Sequence, residues 1–151
     1  MQTAIHVIAR GVSIKEDKIL LCHNKERGFY YLPGGHVEHG ETAVQALERE
    51  LHEELGMNFA IGRFLGLFEY VFIPDNPNKC HNHEYNLVFL VDSQECMPST
   101  VMQALEDDIG FAWIALNDLS DTPFKPKVLC GPLIEWLTQN HAAALVVAKE
   151  L

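Results

Sequence analysis

Four glutamates and one arginine at fixed intervals carry the chemistry this sequence offers: Glu41, Arg49, Glu50, Glu53 and Glu54. Glu50, Glu53 and Glu54 are related by i, i+3 and i+4, so on a helix they form one stripe of carboxylates. Like charges so placed repel by roughly 0.2–0.5 kcal/mol per pair. Arg49 stands four before Glu53 and neutralises part of the stripe. The rest needs a counter-charge. Hard cations such as Mg²⁺ take carboxylate and backbone carbonyl oxygens and keep substrate phosphates as further ligands. The arrangement therefore points to a divalent-cation site for cutting phosphoanhydrides. An acidic helix face is often merely solvated, but the glycines flanking this one, Gly34, Gly35 and Gly56, argue for a built site.

The carboxylates need a helix, and the local sequence supplies one. Thr42 is a suitable N-cap, and Gln45 three residues later completes a capping box. Residues 43–55 contain no Gly or Pro and are rich in good helix formers. Gly56 stands where a left-handed residue ends a helix. At about 100° per residue Val44, Leu47, Leu51 and Leu55 share one face, which is expected to be buried. Ala43 and Ala46 project near the acidic stripe and leave room for a ligand. Ahead of the helix, Pro33 holds the residue before it extended. Gly34 and Gly35 let the backbone turn or approach a ligand closely, and a carbonyl in this bend is a candidate oxygen ligand.

The chain has 151 residues, enough for one domain with a sizeable core, and is read as a single domain over residues 1–151. Its hydrophobic content of 48% is ordinary for a globular protein. A formal net charge of −10 argues against general nucleic-acid or anionic-membrane binding. It does not exclude phosphate substrates, because a bound metal reverses the local sign. The longest apolar run, residues 142–148, is too short to span a bilayer, and no secretory signal precedes residue 11. Cys22, Cys80, Cys96 and Cys130 are widely spaced and are expected to be free thiols in a cytoplasmic protein. Monomer and homodimer both remain open.

Residues 5–14 and 18–23 read as strands, with a bulge or close backbone approach at Gly11. Residues 24–32 read as a polar loop running into aromatics. Residues 59–73 read as one long strand or a bent pair, with Gly62 and Gly66 as bulge candidates. Residues 74–83 form a loop, 84–91 a strand, and 92–110 a long acidic segment of the kind that is often functional. A strand over 111–116, a turn region over 117–126 and a helix over 127–140 follow. The tail extends that helix, forms an interface or frays. Strands alternating irregularly with two principal helices suggest an α/β fold with a mixed sheet and a helix on each side.

Gly35, Glu41 and the run Arg49-Glu50-Leu51-His52-Glu53-Glu54-Leu55-Gly56-Met57 together resemble the Nudix box. The preceding LPGG and the later FAWIAL and NDL runs also resemble the Nudix hydrolase (MutT-like) family. The resemblance implies a Nudix α/β/α sandwich with a mixed β-sheet between helices. It implies hydrolysis of a nucleoside diphosphate linked to another moiety, with Mg²⁺ or Mn²⁺ and a small-molecule nucleotide substrate. Carried over by residue, Glu50, Glu53 and Glu54 would be metal ligands together with the Gly34 carbonyl. Arg49 would hold the glutamates in place and Glu41 would share their network. Glu53 or Glu50 would be the base, since family members differ here and some use a glutamate outside the box. The outside candidate in this chain is Glu106, in the long acidic segment.

Substrate choice must rest elsewhere. Arg10 and His6 are strand residues able to reach a substrate. The aromatics Phe29, Tyr30, Tyr31, Phe68, Tyr70, Phe72 and Tyr85 are candidates for stacking on a base, with Tyr30 favoured for its place at a loop edge. Gly35 and His81 complete the candidate substrate contacts. Cys80, His81 and His83 cluster in sequence, but a zinc site would need one or two more ligands. Nucleoside tri- or diphosphate clean-up is the first expectation. ADP-ribose or nucleotide-sugar pyrophosphatase is the second, and a non-catalytic nucleotide-sensing domain is the reading from another class. The acidic balance disfavours an RNA 5′-end substrate, whose backbone asks for a basic face.

Overall fold

The computed structural model describes residues 4–76, 78–102, 105, 107–138 and 145–150. In chain order the elements are β1 (His6–Val12), β2 (Ile14–Lys15), β3 (Lys18–Asn24), β4 (Phe29–Tyr31), β5 (Gly34–His36), α1 (Ala43–Leu55), β6 (Ala60–Phe72), β7 (His83–Asp92), β8 (Ile109–Ala115), α2 (Cys130–Thr138) and β9 (Leu145–Glu150). A five-stranded mixed sheet runs β5-β1-β7-β6-β9. Within it β1 is parallel to β7 and β9 is parallel to β6, while the β1–β5 and β6–β7 pairs are antiparallel. A second, four-stranded sheet is built on β3, which pairs antiparallel with β2, β4 and β8.

Alternation along the strands divides the interior in two. Ala9 of β1 and Leu20 of β3 pack with Ala46, Leu47, Leu51 and Leu55 of α1. Their neighbours Val12, Ile19 and Leu21 pack on the opposite side with Phe68, Leu133 and Trp136. The result is the α/β/α sandwich expected, with α1 and α2 on opposite faces. No helix among the described residues is long and apolar enough to cross a membrane.

The caps of α1 form as the sequence requires. The Thr42 hydroxyl accepts from the Gln45 N–H, the Gln45 side chain accepts from the Thr42 N–H, and Gly56 closes the helix at φ 67°. The buried face differs in one place. Val44, in the first turn, is 40% exposed, and Ala46 is buried instead. Ala46 is thus part of the core and opens no space for a ligand.

Other departures are strands that need a distant partner to exist. Residues 24–32 contain β4, which pairs with β3, and the Gly34-Gly35 bend is itself a strand that pairs with β1. The tail forms β9 on the outer edge of β6, so its described part neither extends α2 nor frays. Gly11 carries no bulge, because its pairing with Phe89 is in register. Its missing side chain instead admits Val91, whose Cγ2 would lie 3.1 Å from an added Cβ. In β6 the register slips between Ile61 and Phe64 and again between Phe64 and Gly66, where bulges were expected.

Candidate active site

The site is built where α1 meets β5. On the helix wheel Glu54 falls between Glu50 and Leu51, so it points in toward the sheet, while Glu53 points away. Glu54 Oε2 accepts the Gly34 N–H at 3.2 Å and lies 3.9 Å from the Cys22 thiol. That carboxylate and burial push the Cys22 thiol well above its ordinary pKa, burial being the larger cause. The Glu50 carboxylate fills the space over Gly35: a Cβ there would lie 2.4 Å from Glu50 Cδ. Gly34 is constrained more severely. Its φ is +129°, and a Cβ would lie 2.1 Å from the Ala9 carbonyl oxygen of β1. Two adjacent glycines therefore serve two purposes, one admitting a strand and the other a carboxylate.

Arg49 gathers the remaining charge. Its guanidinium donates to both oxygens of Glu41, at 2.7 and 3.2 Å, to Glu50 at 3.0 Å, to Glu53 at 3.3 Å and to the His36 carbonyl at 3.1 Å. Glu41 is fixed further by the Glu38 N–H at 2.8 Å. The Arg49 hydrogen bonds, and then the Glu38 N–H, hold the Glu41 carboxyl below the usual glutamate range. Hydrogen bonding to Glu41 in turn raises the Arg49 pKa. Glu53 keeps 58% of its side chain exposed, against 19% for Glu50.

On the other side of β5 lies Arg10. One of its guanidinium nitrogens donates to the carbonyls of Leu32 and Gly34, both at 3.0 Å. Arg10 also lines a cleft of about 1040 Å³. The same cleft is lined by the cations Arg27, Lys79, Lys125 and Lys127 and by Phe29, Tyr31, Tyr70 and Phe72. Five of the chain's 11 lysines and arginines line this cleft against three carboxylates, Asp75, Glu84 and Glu150, so on balance it is cationic on an acidic protein. Several stand over aromatic rings: Lys79 is 4.0 Å from the Phe72 centroid and Lys125 is 4.6 Å from that of Phe29. Arg27 is paired with Asp75 at 2.7 Å.

The structure thus brings Gly34, Gly35, Glu41, Arg49, Glu50, Glu53 and Glu54 together, with Arg10 at the junction to the cleft. It sends two candidates elsewhere. Side chains alternate along β4, so Phe29 and Tyr31 face the cleft while Tyr30 turns from it, stacks on His23 at 4.3 Å and packs on the core. His81 is buried, stacked on His6 at 4.1 Å and hydrogen-bonded to Glu84 at 2.6 Å, and it does not line the cleft. Burial, then proximity to His81, holds His6 below the ordinary histidine pKa. Phe68 is wholly buried. Glu106 lies outside the described residues; its neighbour Asp108 caps the loop at Lys25 through a backbone bond of 2.9 Å. The cleft cations Arg27, Lys79, Lys125 and Lys127 were missed. They are spread across the chain, and no local signal groups them.

A family model for the NUDIX domain matches residues 5–131. The chain is similar to an ADP-ribose pyrophosphatase of Methanocaldococcus jannaschii, 29% identical over 133 residues that cover 86% of this chain and 73% of that protein. It is also similar to a human 8-oxo-dGDP phosphatase, 45% identical over 47 residues, or 29% of this chain and 15% of the relative. Among solved structures, the MutT NUDIX hydrolase of Burkholderia pseudomallei superposes with a TM-score of 0.63 at 26% identity, over 84% of this chain and 95% of that one.

Proposed function

Since the chain belongs to the NUDIX domain family and is a pyrophosphohydrolase of phosphorus-containing anhydrides, we propose that it cuts the anhydride of a nucleoside diphosphate linked to another moiety. The single observation that carries this reading is the position of Arg10. It lines the cationic, aromatic cleft and donates to the Gly34 carbonyl, so it is the side chain shared by the cleft and by the strand that carries the box glycines.

The donor set fits a hard divalent cation, Mg²⁺ or Mn²⁺. Glu50, Glu53 and Glu54 and the Gly34 carbonyl offer only oxygen, and Gly35 leaves the space that the Glu50 carboxylate fills. When bound, such an ion supplies charge neutralisation at the phosphoryl oxygens and a bound water of lowered pKa. The chain's own residues do the rest. Arg49 locks Glu41 and Glu50 in place through charge-assisted hydrogen bonds, which are about twice as strong as neutral ones. Glu53, the more exposed carboxylate with one long bond to Arg49, is our candidate for the base that takes the proton of the attacking water. Glu50 is the second candidate. Arg10 binds the phosphates, and Tyr31, which lines the cleft, stacks on the base. The faces of Tyr70 and Phe72 are taken up by their stacking on each other, on Phe68 and under Lys79.

Nucleoside tri- and diphosphates are the first substrate class. ADP-ribose is the second, favoured by the long alignment with an ADP-ribose pyrophosphatase and by a cleft just above the usual 300–1,000 Å³ range for small-molecule sites. The test is a panel of nucleoside tri- and diphosphates, ADP-ribose and nucleotide sugars with Mg²⁺ or Mn²⁺, scored by separating the products. Turnover confined to the triphosphates and diphosphates supports the first class. Turnover confined to ADP-ribose or the sugars replaces it with the second.

A further inference from the structure

We propose that the chain carries a second metal site, of the zinc class, formed by His6, His36, Cys80 and His81. One ligand atom from each of these four residues lies within 4.8 Å of all the others. They come from three separate places: His6 opens β1, His36 ends β5, and Cys80 and His81 stand just before β7. The three imidazoles are mutually packed, His6 and His81 stacked at 4.1 Å and His36 edge-on to them at 5.0 and 5.2 Å. The Cys80 sulfur lies 2.8 Å from His81 Nδ1. A tetrahedral ion with bonds of about 2.0–2.1 Å to nitrogen and 2.3 Å to sulfur sets its ligand atoms roughly 3.4–3.6 Å apart. The cluster thus needs shifts of about 1 Å, and the stacked His6 and His81 rings must also turn apart, to close on an ion.

The surroundings fit as well as the ligands. His81 Nε2 is 2.6 Å from Glu84 Oε1, and Glu84 is itself fixed by the Asn86 amide at 3.0 Å. A carboxylate on the far nitrogen of a ligating histidine sets its tautomer and raises its basicity. Here it leaves Nδ1 directed at the thiol. His36 and Cys80 are exposed, so an ion has a way in. Imidazole and thiolate select borderline and soft ions, whereas the oxygen ligands of the box select hard ones. The two sites therefore differ in the ions they prefer, and the second stands whether or not the chain hydrolyses nucleotides.

The ion would act on the loop over residues 74–82. Asp75, Asn76 and Lys79 of that loop line the cleft, and Cys80 and His81 would pin its end to β1 and to β5. His36 adds a link to the box, since its carbonyl accepts from Arg49.

The probe is Co²⁺, titrated into the metal-stripped full chain with Mg²⁺ in large excess to hold the carboxylates. One equivalent should bind with a thiolate-to-cobalt charge-transfer band and tetrahedral visible bands, and Zn²⁺ should displace it. Cys80→Ser should remove the charge-transfer band, and His36→Ala should weaken Co²⁺ binding by at least about tenfold, the lower bound seen even for outer-shell losses. Both side chains are exposed, so the stripped variants should melt with the stripped parent. Should Cys80→Ser fail to fold, His36→Ala alone decides the matter. No charge-transfer band in the parent, its survival in Cys80→Ser, or unchanged affinity in His36→Ala each overturns the proposal.

Discussion

Arg10 and Gly34 are joined by a hydrogen bond of 3.0 Å from guanidinium to carbonyl. On its other side Gly34 offers its N–H to Glu54 at 3.2 Å. One peptide segment of β5 is thus held by the cleft through its oxygen and by the box through its nitrogen. A carbonyl oxygen has two lone pairs, so the bond to Arg10 leaves one for a metal. Arg10→Ala should raise KM about tenfold or more through the lost phosphate contact and lower kcat less. Steady-state kinetics on the substrate found in the panel would check the split, and a fall in kcat with KM unchanged would contradict it.

The adjacent glycines should fail differently. Gly34→Ala places a methyl group against the backbone of β1 at positive φ, a clash with no soft partner, and should cost more than about 2 kcal/mol of stability. Gly35→Ala meets the Glu50 carboxylate first, a side-chain end whose displacement breaks its bond to Arg49 but no backbone pairing. It should leave the melting temperature within a few degrees of the parent and weaken Mn²⁺ binding, read by electron paramagnetic resonance. Equal destabilisation by both variants would refute this division.

Tyr30 and Tyr31 should also separate. Tyr31→Ala should raise KM, whereas Tyr30→Ala, which strips a half-buried ring from the edge of the core, should lower stability by about 1–3 kcal/mol with KM retained in the folded fraction. Urea unfolding beside kinetics measures both.

The Arg49–Glu41 pair should give stability a pH dependence. The Arg49 hydrogen bonds hold the folded Glu41 carboxyl below the usual glutamate range, so its contribution is complete above the unfolded pKa and disappears as pH falls through the folded one. Glu41→Gln should therefore be less stable than the parent near neutral pH, and the gap should close in acid. Denaturant titrations across that range test this; a gap that widens toward low pH contradicts it.

These contrasts show what a sequence can say. The α1 helix was legible because its signals are local: Thr42, Gln45, Gly56 and the apolar spacing lie within one segment. Its acidic stripe was legible for the same reason. The three-residue strands β4 and β5 were not, because Phe29–Tyr31 and Gly34–His36 exist through the edges they pair with. Whether Tyr30 or Tyr31 faces the cleft depends on the register of that pairing, since a shift of one residue exchanges the faces. The five cleft cations and the His6, His36, Cys80 and His81 cluster converge from distant parts of the chain. Sequence spacing linked Cys80, His81 and His83, but the fold sends His83 to Glu69 instead.

The central claim is metal-dependent hydrolysis by the carboxylates of α1. Its most direct test is turnover of the panel's substrate at saturation with Mg²⁺ by the parent and by Glu53→Gln, with folding checked by circular dichroism. The account predicts that the folded variant loses at least about 100-fold in kcat, within the range of general acid–base catalysis, and that a chelator abolishes the parent's activity. A parent that binds a nucleotide and cleaves no anhydride would contradict the account and make the chain a nucleotide sensor.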